Sequence, residues 1–397
     1  MANMTSDDIP RAPRPIRLAL IRQRYNPFGG AERFVSRALA GFQSEAVAAT
    51  LLTRAWPASA SADNPFSVQI INPPYRSRTE RDRRFATAAQ AWLATQSFDL
   101  VQSHERLPCD IYRAGDGVHA TWLELLGRLR GPLGRLALRC NPYHRYVCRA
   151  EAAMFAHPQL QAVICNSQLV QRDIHARFGL PLARLPIIYN GVDTAEFHPA
   201  LAALYREPLR AAWGIPADAF LFLFVGSGFE RKGAGRAIEA LAAMPDRTAF
   251  LCVVGADKRS AQYRQLAVRL KVTDRVVFVG AQQDVKPFYA AADVCVLPTL
   301  YDPFPNVAIE ALACGLPLIT SETCGAAEWI EPGNNGWVIG ALDRAALCAA
   351  MLAATDRSRL ADRRAQARIS ALPYTLARTV ADLTALYRQL LPLDVGG

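Results

Sequence analysis

Short runs of aliphatic and β-branched residues alternate along the chain with longer stretches whose apolar positions recur every three or four residues. Runs at 16–22, 49–53, 67–71, 98–102, 161–165 and 186–189 predict strands in the first half, with helices between most of them. The pattern restarts at Phe220. Phe220 to Val225, Phe250 to Val254, Val276 to Val279, Val294 to Leu297 and Leu318 to Thr320 predict strands, separated by helix-compatible segments such as 234–243, 259–270 and 306–314. Alternating β and α implies two parallel, doubly wound sheets, hence an α/β fold. Pro199, Pro208, Gly214 and Pro216 fall within 191–216, and the linker is placed at 196–215, between a first domain at 14–195 and a second at 216–374. Residues 1–13 show no periodicity and are expected to be disordered. Leu376, Val380, Leu383, Leu386 and Leu390 have helical spacing, so 375–397 is expected to form a closing amphipathic helix that packs back on the first domain. Open α/β sheets bind ligands beyond the carboxyl ends of their strands, so two facing sheets make a cleft.

Composition narrows the class. With 397 residues, 51% hydrophobic and 20% charged, the chain is long enough for two ordinary cores. No run approaches the ~20 apolar residues of a membrane span, and Leu18 to Ile21 after Arg11, Arg14 and Arg17 is too short for a signal peptide. A cytosolic location is expected. The nine cysteines are scattered without a C-x-x-C pair, the six histidines form no ligand cluster, and no Asp-x-Asp occurs, so neither a metal nor another cofactor is expected.

The charge is uneven. Residues 1–200 hold 24 Lys+Arg against 16 Asp+Glu, a net of +8, which leaves +2 of the total +10 for the rest. Within 119–150, Arg128, Arg130, Arg135, Arg139, Arg145 and Arg149 face the single Glu124 and are interleaved with leucines and aromatics. That mixture suits an anionic surface; a solvated helical face is the plainer reading. No nucleic-acid-binding motif accompanies it.

The strand ends carry the candidate chemistry. Gly29 and Gly30, at a strand-to-helix turn, let a substrate approach the backbone, although a turn without a ligand looks the same and the G-x-G-x-x-G spacing is absent. After the strand ending at Val225, Gly226-Ser227-Gly228-Phe229-Glu230-Arg231-Lys232-Gly233 sets adjacent cations beside a glycine turn. Fixed Arg231 and Lys232 there can stabilise a departing diphosphate without a metal. Asp302 lies on a loop before a helix opening near Asn306 and stopping at Gly315. Asn306 and Val307 would present backbone N–H groups to phosphate, and Asp302 and Glu310, eight residues apart, would bracket a nucleotide sugar. In the first half, His104 follows the strand at 98–102 and Asp116 falls between Gly115 and Gly117, where a histidine capping a strand end and a turn aspartate between glycines are as ready a reading as ligands; His119 is a further candidate.

In order along the chain, Asn190-Gly191-Val192-Asp193, Gly226 to Gly233, Val253-Val254-Gly255, Val279-Gly280, Ala291-Ala292-Asp293-Val294 and Glu310 to Pro317 resemble glycosyltransferase family 4 over roughly residues 16–390. Pro27 to Gly30, Arg231-Lys232-Gly233 with Arg236 to Leu241, and Cys324-Gly325 further resemble the lipopolysaccharide core glucosyltransferase I group. The resemblance implies the GT-B fold and retaining transfer of a hexose, glucose from a UDP sugar, to a lipopolysaccharide core or related lipid-linked glycan. It also implies a peripheral position at the inner face of the cytoplasmic membrane, with the basic stretch meeting the anionic surface. Arg231 and Lys232 would hold the diphosphate and Glu310 the ribose, His104 a donor hydroxyl, and Asp116 would orient or deprotonate the acceptor. Asp302 stands where the family usually has Glu, and the shorter side chain moves the carboxylate by about 1 Å. A sugar-nucleotide epimerase or a non-catalytic nucleotide-sugar-binding protein on the same scaffold are the alternatives.

Overall fold

A computed structural model describes residues 14–23, 41–42, 45–56 and 66–391. It contains two six-stranded sheets, paired in parallel throughout. The first holds β1 (Ile16–Ile21), β2 (Val47–Thr53), β3 (Ser67–Ile70), β4 (Leu100–Ser103), β5 (Ile111–Arg113) and β6 (Ala162–Ile164), in the order β3-β2-β1-β4-β5-β6. The second holds β7 (Phe220–Val225), β8 (Ala249–Val254), β9 (Val276–Gly280), β10 (Val294–Leu297), β11 (Leu318–Ser321) and β12 (Gly336–Ile339), in the order β12-β11-β10-β7-β8-β9. The two orders are the same, so the chain reverses direction across each sheet between β1 and β4 and between β7 and β10. Ligand crevices form at such switch points.

The second core is the larger. Every residue of β7 is buried, as expected of a strand covered by helices on both faces. The helices Ala234–Ala243 and Asn306–Ala313 open and close close to their predicted positions.

Three features differ from the sequence expectations. β5 and β12 are not among the strands expected from the sequence. The run 186–189 forms no strand; Ile187 makes a single bridge to Cys165. The proposed linker is mostly a helix, Leu201–Ala212, with Pro208 inside it. Arg206 and Arg210 bind Asp293 at 2.6 and 2.9 Å, and those tertiary ion pairs tie the helix to the second domain despite its proline. Residues 1–13, Gly29, Gly30 and most of the segment between β1 and β2 lie outside the described residues.

The closing helix runs Leu376–Leu390, capped by the Thr375 hydroxyl. Its Val380, Leu383, Leu386 and Tyr387 pack into the first core with Leu18, Leu20 and Leu51, and Tyr387 donates to Gln102 at 2.7 Å. The chain therefore crosses between domains twice, and the crossings touch. Val192 N–H donates to Tyr374 O, and a Cβ on Gly191 would stand 2.5 Å from Thr375 O.

Candidate active site at the interdomain cleft

Both switch points open into one cleft of about 750 Å³ between the domains, a volume in the range of small-molecule sites. Its second-domain wall starts where β7 ends. Gly226 has φ +147, and a Cβ there would meet Lys232 Cδ at 2.5 Å, so only glycine lets the lysine fold back across the strand end. One helical turn, Phe229–Lys232, lies between Gly228 and Gly233, both left-handed, and turns Arg231 and Lys232 toward the cleft. Each meets the same oxygen of Asp302, Arg231 at 2.9 Å and Lys232 at 3.1 Å. Burial alone would raise the Asp302 carboxyl, but the two cations outweigh it and hold it below the ordinary carboxylate value. Two cations and one carboxylate give this wall a net positive charge.

Asn306 and Val307 line the cleft at the start of their helix. Glu310 does not. It is buried one turn further in, where Tyr289 donates to it at 2.9 Å. The expected pair of carboxylates bracketing a ligand is corrected on this point: Asp302 lies on the wall but holds cations, and Glu310 lies behind it.

The first-domain wall is built on β4 and the loop after β5. His104 follows β4, is buried, and approaches Gln102 at 3.5 Å. Burial, then the charges of Arg22 and Arg113, push its imidazole well below the ordinary 6.5, so it is neutral. Asp116 sits in the turn after β5, deep in the cleft but with 55% of its side chain open, 3.7 Å from Arg22. Its surroundings would raise the carboxyl by desolvation; Arg22, Arg106 and, from the opposite domain, Arg231 outweigh that and lower it. A carboxylate held in this way is a fixed charge and a weak base. The sequence reading missed Arg22, Arg106 and the wall formed by Trp122 and Tyr143. Arg22 was findable, since it directly follows β1; the others come together only when the helices His119–Cys140 and Pro142–Phe155 pack side by side.

Cross-domain bonds close the cleft. Val118 N–H donates to the Tyr301 hydroxyl at 2.9 Å, and Asn190, itself bonded by Arg113 at 2.8 Å, donates to Asn306 at 2.7 Å.

The basic segment is two helices, His119–Cys140 and Pro142–Phe155, the first broken at Gly131 (φ 72) and Pro132. All six arginines are exposed. Arg130 does not belong with the rest, because it pairs with Glu230 of the second domain at 2.7 Å. Leu133 and Leu136 of the broken helix are 84% and 60% exposed, among Arg128, Arg135 and Arg139.

A pH dependence follows from the neutral histidines. His119 lies 3.1 Å from His144; burial, with Arg106 and His144, pushes it down to about 3. A native imidazole held below 6.5 contributes stability that is complete above 6.5 and is lost as pH falls toward the native value. Each such histidine should remove about 1.4 kcal/mol per pH unit below that point. Glu105 and Glu151, which burial pushes up, titrate with the opposite sign. The share of His119 is therefore read as the part of the slope of unfolding free energy between pH 6.5 and 5 that is lost in His119→Gln. An unchanged slope would contradict it.

Comparison with known proteins agrees with this architecture. Residues 28–196 match the family model Glycosyltransferase Family 4 and residues 205–369 match Glycosyl transferases group 1. The chain is 29% identical over 328 residues to the lipopolysaccharide glucosyltransferase WaaG of Escherichia coli, covering 81% of this chain and 84% of that one. It is 35% identical over 130 residues to the lipopolysaccharide core biosynthesis glycosyltransferase LpsE of Rhizobium meliloti, covering 33% and 38% of the two chains. A crystal structure of WaaG superposes with a TM-score of 0.80 at 26% identity, covering 96% of this chain and all of that one. With one model on each sheet and the same two-domain architecture as WaaG, the chain belongs to the group 1 and family 4 glycosyltransferases and has the GT-B fold.

Proposed function

We propose that the protein transfers glucose from a UDP sugar, with retention and without a metal, to a lipopolysaccharide core or a related lipid-linked acceptor. The observation that carries this reading is the cation pair Arg231 and Lys232, aimed into the cleft at the second switch point and facing Asp116 across it. The donor diphosphate lies against those cations, which stabilise the charge that develops as it leaves. His104, neutral, donates or accepts one hydrogen bond at a sugar hydroxyl. Glu310 reaches the ribose only by turning out from Tyr289. Asp116 orients the acceptor hydroxyl, and its lowered pKa favours the departing phosphate over this carboxylate as the proton acceptor, as a front-face transfer requires. The similarity to glucosyltransferase WaaG supports glucose and the core acceptor.

Incubation with a panel of nucleotide sugars and truncated lipopolysaccharide should give acceptor-dependent release of UDP, strongest from UDP-glucose and unchanged by chelator. Strict dependence on Mg²⁺ or Mn²⁺ would refute the cation-pair mechanism.

The acceptor is met at the inner face of the membrane. Among the described residues no helix is long and apolar enough to cross a bilayer. The exposed Leu133 and Leu136 with Arg128, Arg135 and Arg139 support surface docking, at about 1 kcal/mol per arginine near anionic lipid. Co-sedimentation with anionic vesicles is expected, weak with zwitterionic ones and lost in Leu133→Asp/Leu136→Asp; equal sedimentation of the variant would remove the claim.

A further inference from the structure

One cavity has no part in the donor chemistry. Beside the main cleft lies an annexe of about 210 Å³, room for a single sugar ring, bordered by the helices Arg78–Leu93 and Pro142–Phe155. Arg22, Arg106, Asp116, Tyr143 and Val147 line both spaces, so Asp116 stands in the doorway. Resting on the glycosyl-transfer reading above, we infer that this annexe is the acceptor subsite and that it takes an uncharged sugar ring rather than a phosphorylated one.

Among the described residues, the charges of the annexe come in pairs. Arg81 lies 2.6 Å from Asp82 and Arg106 3.0 Å from the buried Glu151, while Arg22 lies 3.9 Å from Glu105 and 3.7 Å from Asp116. A phosphate entering here must displace a carboxylate from its guanidinium and then sit among the remaining acids, a desolvated like-charge contact that works against binding. A neutral ring meets no such opposition. Guanidinium and carboxylate side by side offer donors and acceptors at the spacing of neighbouring hydroxyls, and Tyr143 and Tyr146 supply apolar faces with polar tips. Tyr143 is already held, donating to Asp82 at 3.2 Å, so this part of the wall is set before a ligand arrives.

Two polar atoms on the cleft side point the same way. The Trp122 indole N–H and the Asn166 amide oxygen are buried with no partner among the described residues, and both residues line the cleft into which the annexe opens. Buried polar atoms in native proteins are nearly always satisfied, so a hydroxyl-bearing ligand is a natural complement for both. A ring seated in the annexe brings a hydroxyl to Asp116, with Arg231 across the cleft. That is the order needed for transfer: acceptor ring, Asp116, donor.

The test uses the full-length protein, a UDP-glucose donor, and truncated lipopolysaccharide acceptors before and after chemical removal of phosphate. The dephosphorylated acceptor is expected to be used at least as well as the phosphorylated one. Tyr146→Ala and Asp82→Asn should each raise the acceptor KM about ten-fold and move the donor KM less than about two-fold. A preference of about ten-fold for the phosphorylated acceptor, or an unchanged acceptor KM in both variants, overturns the inference. Should the variants not fold, the comparison of the two acceptors on the wild-type protein decides alone. If the wild-type protein instead releases no nucleoside diphosphate from any sugar nucleotide, the transferase reading itself has failed.

Discussion

Lys232→Ala should lower kcat by about a hundredfold or more, the usual consequence of removing one fixed donor from a developing negative charge in an enclosed site. The side chain is buried, its ammonium 3.1 Å from Asp302 and its stem packed over Gly226, so its position is set before any donor binds. Such a group needs no reorganisation when charge moves onto the leaving phosphate, which is why the loss should appear in kcat more than in KM. Asp302 keeps Arg231 as a partner at 2.9 Å, so the variant should fold and its thermal midpoint should fall by only a few degrees. Steady-state kinetics with a saturating acceptor, next to a thermal melt, separates the two effects. A kcat within about fivefold of wild type, in a protein that folds, would mean that Lys232 does not face the phosphate in the reacting complex.

Gly117→Ala should have the next largest effect, and by a different route. Gly117 has φ +67, where a side chain costs about 1–2 kcal/mol. A methyl group there would also overlap the Tyr301 hydroxyl and stand 2.7 Å from Pro303 Cγ. Those atoms belong to the other domain. The overlap is most easily relieved by opening the cleft, which also breaks the bond from Val118 N–H to Tyr301 and moves Asp116 away from Arg231. Displacement of a reacting group by about 1 Å costs on the order of a hundredfold, so kcat/KM should fall by about that factor. Small-angle scattering should show a larger radius of gyration at the same time. Wild-type kcat/KM with an unchanged scattering curve would refute the idea that this contact sets the cleft.

Much of this architecture is legible in the residues one after another. The buried run Phe220–Val225, the glycine turn after it and the helix beginning at Asn306 are local features, because hydrophobic periodicity and glycine torsions act within a few residues. The glycine turn, the spacing of Asp302 and Glu310 and the family resemblance singled out Arg231, Lys232, Asp302 and Asp116, and all four line the cleft. Glu310 shows where that reasoning runs out. Its spacing from Asp302 is plain in the sequence, yet its contact with Tyr289 depends on how two helices pack, and this turns it away from the wall. The segment 201–212 is a second case, since Pro208 argues locally for a break, whereas Asp293 and the carbonyls of Ala291 and Ala292, about eighty or more residues away, hold Arg206 and Arg210.

By itself, then, the sequence determined two parallel α/β domains, the strand ends that open on the cleft, and a cation pair whose charge suits a diphosphate. Tertiary structure alone decided that both cations share Asp302, that Arg231 reaches across to lower Asp116, that Arg130 serves the domain interface, and that a ring-sized annexe opens beside Asp116. The physical reason is range. Propensity and periodicity are set by neighbours in sequence, whereas Coulomb interactions and cavity shape depend on distances between residues that meet only after the two sheets have formed and faced each other.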